Sequence, residues 1–210
     1  MTLITNSHYI SVSASGTDWR DTAKSIVEQI QGALTPGKKF TLGLIYTTDH
    51  LAQDLGSITN LFKSVLDIQH WSGSIGIGVF DNTQIYIREP AISVLLLDIP
   101  EDQFCLFRYE GEHKPVPDRL QEWLSSHDPM VVLTHAGSLS GGLSLRLNEL
   151  ENLTQGFLIG GVASSFPKNI DFAGERPEAE VSGVCFDQDV PISSSLSQGC
   201  FPIGGMHTIT

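Results

Sequence analysis

The segment His135-Ala-Gly-Ser-Leu-Ser-Gly-Gly142 concentrates the residue types that a small ligand needs. The apolar run PMVVLTHA leads into it, and the helix-like pattern LSLRLNEL follows. A strand that turns through Gly and Ser into a helix leaves backbone N–H groups free to hold a carboxylate or phosphate. Gly137, Ser138, Ser140 and Gly141 are therefore candidate N–H and hydroxyl donors. Arg146, one turn into the helix, is the candidate counter-charge. Ser164 and Ser165 end a second apolar run, FLIGGVA, and are candidates for the opposite wall, because strand ends of this kind often open into pockets. The competing reading of both segments is structural: a strand-to-helix connection, and small residues that permit tight packing.

Other chemistries fit less well. The loop contains no lysine and no Gly-Lys-Ser/Thr, which argues against ATP or GTP. Ser72-Gly-Ser-Ile-Gly-Ile-Gly78 has clustered glycines, but its alternation with Ile75, Ile77 and Val79 predicts a strand. A dinucleotide fingerprint needs a helix to begin among those glycines. The nucleophile elbow G-x-S-x-G is absent, since Gly137-Ser-Leu-Ser-Gly141 puts Leu139 at the nucleophile position. Cys105, Cys185 and Cys200 form no C-x-x-C pair, and the seven His are scattered, so no metal site is expected and no cofactor is called for. A hydrolase or transferase using Cys200 or a loop serine is the enzymatic alternative, and it requires a thiol of low pKa or a base brought close by folding.

These residues must be positioned by a mixed α/β fold. Trp19, Ala23, Ile26, Val27, Ile30 and Leu34 share a helical face, closed by Thr35-Pro-Gly37. FTLGLIYTT reads as a strand covered on both faces. Asp49 is placed to cap a helix reaching Leu66. From Ile68 four strands follow without a helix, which excludes a simple doubly wound parallel sheet. A helix starting near Pro117, the strand before His135, the helix containing Arg146, a buried strand FLIGGVASS and two closing strands through VSGVCFDQDVPISSSLSQG complete the pattern. Helices packed on a large, partly antiparallel sheet or pair of sheets are predicted.

With 12 basic and 24 acidic residues among 210, the formal charge is −12. Such a surface repels phosphate backbones and anionic lipids, so neither nucleic acid nor a membrane is expected as partner. No apolar run approaches the ~18 residues that span a bilayer, and the start has no signal-peptide pattern, so a cytoplasmic address is expected.

The order of four short motifs carries more information than any one of them. Trp71-Ser-Gly-Ser-Ile-Gly76, Gly160-Gly-Val-Ala-Ser164, Ser182-Gly-Val184 and Leu196-Ser-Gln-Gly-Cys-Phe-Pro-Ile-Gly204 together resemble the N-terminal FIST domain. The resemblance runs from about residue 20 to the end, and S-Q-G-C-x-P-I-G is its most specific piece. Many members carry Gly-Cys-Ser where this chain has Trp71-Ser-Gly73, so no functional cysteine carries over there. The resemblance implies a cytoplasmic, non-enzymatic sensory domain of signal transduction that binds small molecules such as amino acids. It further implies a domain over 1–205, with 206–210 opening a second, C-terminal FIST domain that is missing or truncated. That second domain, or another signalling protein, is the expected partner beside the small-molecule ligand. A structural interaction module that recruits a partner through an exposed edge or apolar patch is the third reading.

Overall fold

Alternating apolar residues give each strand two faces to bury, and the chain buries them in four layers. The computed structural model describes residues 4–6, 8–109, 117–137, 142–164, 171–173 and 181–195. In chain order the elements are β1 (Ile4–Asn6), β2 (Tyr9–Ser15), α1 (Trp19–Ala33), β3 (Leu42–Thr48), α2 (Leu55–Leu66), β4 (His70–Gly76), β5 (Gly78–Phe80), β6 (Ile85–Ile87), β7 (Ala91–Leu97), β8 (Phe104–Tyr109), α3 (Asp118–Leu124), β9 (Pro129–Ala136), α4 (Leu143–Thr154), β10 (Phe157–Val162), β11 (Asp171–Ala173) and β12 (Val181–Asp187).

A six-stranded sheet runs β1-β2-β7-β3-β4-β11, and a four-stranded sheet runs β10-β9-β12-β8. Both are mixed. Each contains one parallel pair, β3 with β4 and β9 with β10. Helices α2 and α4 make the respective connections, as a parallel pair requires a long crossover. The remaining pairings are antiparallel, which accounts for the run of helix-free strands in the sequence.

Three apolar clusters define the layers. Ile10, Val12, Ile45, Trp71, Ile92 and Val94 on one face of the six-stranded sheet meet Ile26 and Ile30 of α1 and Ile58 and Phe62 of α2. On the four-stranded sheet, Cys105, Phe107, Val132 and Cys185 meet Leu120 of α3 and Leu143 and Leu150 of α4. The third cluster joins the sheets: Leu42 and Leu44 pack with Phe104, Val131, Val184 and Phe186. The order is thus helix, sheet, sheet, helix. Fully burying one isoleucine stabilises by about 1.5–3 kcal/mol, so each layer contact is substantial.

Local chemistry explains the helix ends. Asp18 caps α1, its carboxylate accepting from the Arg20 N–H at 2.8 Å. The turn expected to be capped by Asp49 differs: residues Asp49–Asp54 form a 3-10 segment, and α2 begins only at Leu55. Two further expectations change. β10 is exposed along most of its length, with Phe157 63% exposed, and among the described residues it pairs on one side only. After β12, residues 191–195 are not in a strand, and the remainder of that segment lies outside the described residues.

Candidate functional site

Strand register assembles a polar row at one end of each sheet. Across the six-stranded sheet, Tyr46 is level with Ser74 of β4 and Ser93 of β7, and Ser93 is level with Ser13 of β2. Across the other sheet, His135 is level with Gly161 of β10 and Ser182 of β12, and Ser182 with Arg108 of β8. One and two rows further along, the same inward positions carry Leu44, Leu95, Leu133 and Val184, then Leu42, Leu97, Val131 and Phe186, which build the inter-sheet core. The sheets therefore touch through apolar rows and part into a polar end.

At that end lies a cavity of about 790 Å³. Tyr46, Ser74 and Gly76 line it from the carboxyl ends of β3 and β4; Leu133, His135 and Gly161 do so from β9 and β10. Crevices outside the carboxyl ends of parallel strands are the usual ligand seats of α/β sheets. The third wall is the β5–β6 hairpin, through Val79, Phe80 and Asp81. Two polar-row serines anchor that hairpin: Ser13 donates to Asp81 Oδ2 at 2.6 Å, and Ser93 donates to the Phe80 carbonyl at 2.8 Å.

Hydrogen bonds to His135 tie the sheets together across the cavity. Tyr46 Oη lies 2.9 Å from His135 Nε2, while Ser72 Oγ lies 3.5 Å from His135 Nδ1. His135 is 5% exposed, and burial pushes its pKa down to about 4. The imidazole is neutral near pH 7, so one ring nitrogen donates and the other accepts. Burial likewise pushes the Tyr46 phenol up to about 12, so it keeps its proton. Ser182, fully buried beside His135 in the row, has a side-chain oxygen with no hydrogen-bond partner among the described residues.

Among the described residues Asp81 is the charged residue of the lining. Burial tends to raise its pKa. Hydrogen bonds from the Ser13 hydroxyl, the Thr83 and Gln84 N–H groups and the Thr83 hydroxyl outweigh that effect and hold it below the ordinary value. Among the described residues the lining includes no lysine or arginine.

The residues singled out from sequence fall in different layers. Ser164 lines the cavity and accepts from the Ile77 N–H at 3.2 Å. Gly137 directly follows β9, two residues beyond His135. Arg146 is buried in α4, bonded to Glu149 at 2.9 Å and placed 5.3 Å over the Tyr109 ring. Tyr109 belongs to the cluster beneath the helices, so Arg146 lies on the helix side of the four-stranded sheet and Ser164 beside the cavity. The structure does not bring those two together. Ser138, Ser140, Gly141, Ser165 and Cys200 lie outside the described residues. Sequence reasoning missed Tyr46, Ser74, Asp81 and His135 as lining residues. For Tyr46, Ser74 and His135 the signal was a polar residue at an inward position of a strand, visible only once register is known, whereas Asp81 lies in the turn after β5.

Cys105 and Cys185 are free and buried. Burial raises both thiol pKa values, away from the reactive thiolate that a cysteine nucleophile needs. Among the described residues no group of three His, Cys, Asp or Glu could hold a metal ion, and no helix is long and apolar enough to cross a membrane. A family model described as the FIST N domain matches residues 41–210. A search of the curated proteins finds no match.

Proposed function

The chain belongs to the FIST N domain family, a family of sensory and signal-transduction domains, and from that premise we propose that it senses a small molecule seated in the inter-sheet cavity. The observation that carries this reading is the parting of the sheets at their polar rows. Mostly apolar walls with a few fixed polar groups, Tyr46, Ser74, Asp81 and His135, have the composition of a small-molecule site. Binding, not turnover, is the proposed role, since burial opposes thiolate formation at Cys105 and Cys185, the form a cysteine nucleophile needs. Amino acids and carboxylates are the first ligands to test. Gly137, Ser138, Ser140 and Gly141 fall in sequence between β9 and α4, and the N–H groups of that segment are the proposed donors to a ligand carboxylate. Ser164 and Ser165 would close the opposite wall, while Arg146 would act from behind the sheet, through its charge.

Occupancy would join the two sheets and shift their relative packing, which is the proposed signal to a C-terminal FIST domain or signalling partner. The reading is tested by a thermal-shift screen of amino acids and carboxylates on the full chain. A ligand at ~100 times its dissociation constant stabilises by about 2.7 kcal/mol. Gly161 borders the cavity with open space where a Cβ would stand, so a side chain introduced there, as in Gly161→Leu, should occupy part of it. The expected outcome is a Tm increase in the parent protein that Gly161→Leu reduces. Silence across the panel, or an undiminished shift in the variant, defeats the proposal.

A further inference from the structure

We infer that the group recognised in this cavity is an organic ammonium carried on an apolar body. The inference rests on the reading of the inter-sheet cavity as a ligand seat and deepens it by naming the ligand's chemistry.

Asp81 is a preorganised carboxylate at the cavity wall. Its Oδ1 accepts from the Thr83 N–H at 2.6 Å, the Thr83 hydroxyl at 2.9 Å and the Gln84 N–H at 2.8 Å. Its Oδ2 accepts from the Ser13 hydroxyl at 2.6 Å, and a carboxylate oxygen can accept more than one hydrogen bond, which leaves capacity there for a ligand N–H. The turn that closes the hairpin fixes the carboxylate in place, so binding a cation there orders no side chain afresh. Tyr9, Tyr46 and Phe80 are among the lining residues, and the faces of aromatic rings attract ammonium groups. His135 adds no positive charge, since its imidazole is neutral near pH 7. Leu95, Leu97 and Leu133 extend the cavity as an apolar floor suited to a hydrocarbon chain or ring. A carboxylate placed against Asp81 would meet a like charge instead.

An amino acid would then be held first by its ammonium, and a simple amine with an apolar tail should also bind. The test uses three probes of one shape: 3-phenylpropylammonium, 3-phenylpropanol and 3-phenylpropanoate. Binding to the full chain is followed by calorimetry at pH 7 and fixed ionic strength. The ammonium is expected to bind at least tenfold more tightly than the alcohol, and the carboxylate most weakly. Asp81→Asn keeps the turn's Oδ1 acceptor and removes the charge; it should lower ammonium affinity about tenfold and leave the alcohol unchanged. If the alcohol or carboxylate binds as tightly as the ammonium, or if Asp81→Asn has no effect, the inference is overturned while the cavity reading stands. If no probe and no amino acid binds, the cavity reading falls and takes this inference with it. The probe ranking in the parent protein needs no variant, so a misfolded Asp81→Asn leaves the test decisive.

Discussion

His135 is neutral in the folded chain because water is excluded from it, and Tyr46 and Ser72 occupy the positions next to its ring nitrogens. Its folded pKa of about 4 lies below the ordinary value of 6.5. As pH falls from about 6.5 to about 4, the unfolded chain takes up a proton that the folded chain refuses. Folding stability therefore falls across that window, and the contribution is fully present only above it. The size is on the order of 3 kcal/mol for a group this buried. His135→Gln should flatten the stability profile between those two pH values, measured by urea unfolding at intervals of half a pH unit. An unchanged slope would show that other groups dominate acid destabilisation. His135 illustrates why the site was hard to read in sequence. The segment around it drew attention to the loop that follows, whereas the side chain that reaches the cavity is the last polar residue inside the strand itself.

The elements were legible where one periodicity dominated. The apolar face of α1 was visible in the pattern from Trp19 to Leu34, and the structure buries Ala23, Ile26, Val27 and Ile30 on it, whereas Leu34 follows the helix and is exposed. The hydrophobic run Leu42–Ile45 read correctly as a strand covered on both faces, by helices on one side and the second sheet on the other. β10 was misjudged because apolar content alone does not distinguish a central strand from an edge strand. Gly73 shows what register adds. A Cβ there would stand 1.7 Å from the Ile45 carbonyl oxygen, so the glycine permits the close approach of β3 and β4. Gly73→Ala must push the parallel pair apart and should destabilise by about 1–3 kcal/mol or more, as overpacking does. Denaturant titration measures it, and a loss below 0.5 kcal/mol would mean that the strands yield easily. Gly160 is constrained in another way: its φ of +149° and a Cβ position 1.9 Å from the Thr134 oxygen exclude other side chains beside the cavity.

At the scale of the molecule, sequence patterning supplied the mixed α/β class and the possibility of two sheets, but not their face-to-face order. That order depends on which inward residues of distant strands meet, such as Leu44 with Val184, and no local pattern encodes it. The candidate cavity is a product of the same order, and among the described candidates Ser164 lines it while Arg146 lies behind the sheet. The layered arrangement also places a chromophore where it can be read. Trp71 is fully buried on β4, stacked on Phe62 of α2 with ring centroids 5.5 Å apart, and its indole N–H donates to the Ile68 carbonyl at 2.7 Å. It sits on the helix side of the strand whose other face carries Ser74 to the cavity. With Trp19 and Trp123 replaced by Phe, the remaining emission should be blue-shifted and resistant to acrylamide quenching. A ligand that moves β4 against α2 should alter the lifetime of that emission without ever touching the indole, giving the fold an internal optical gauge of sheet movement.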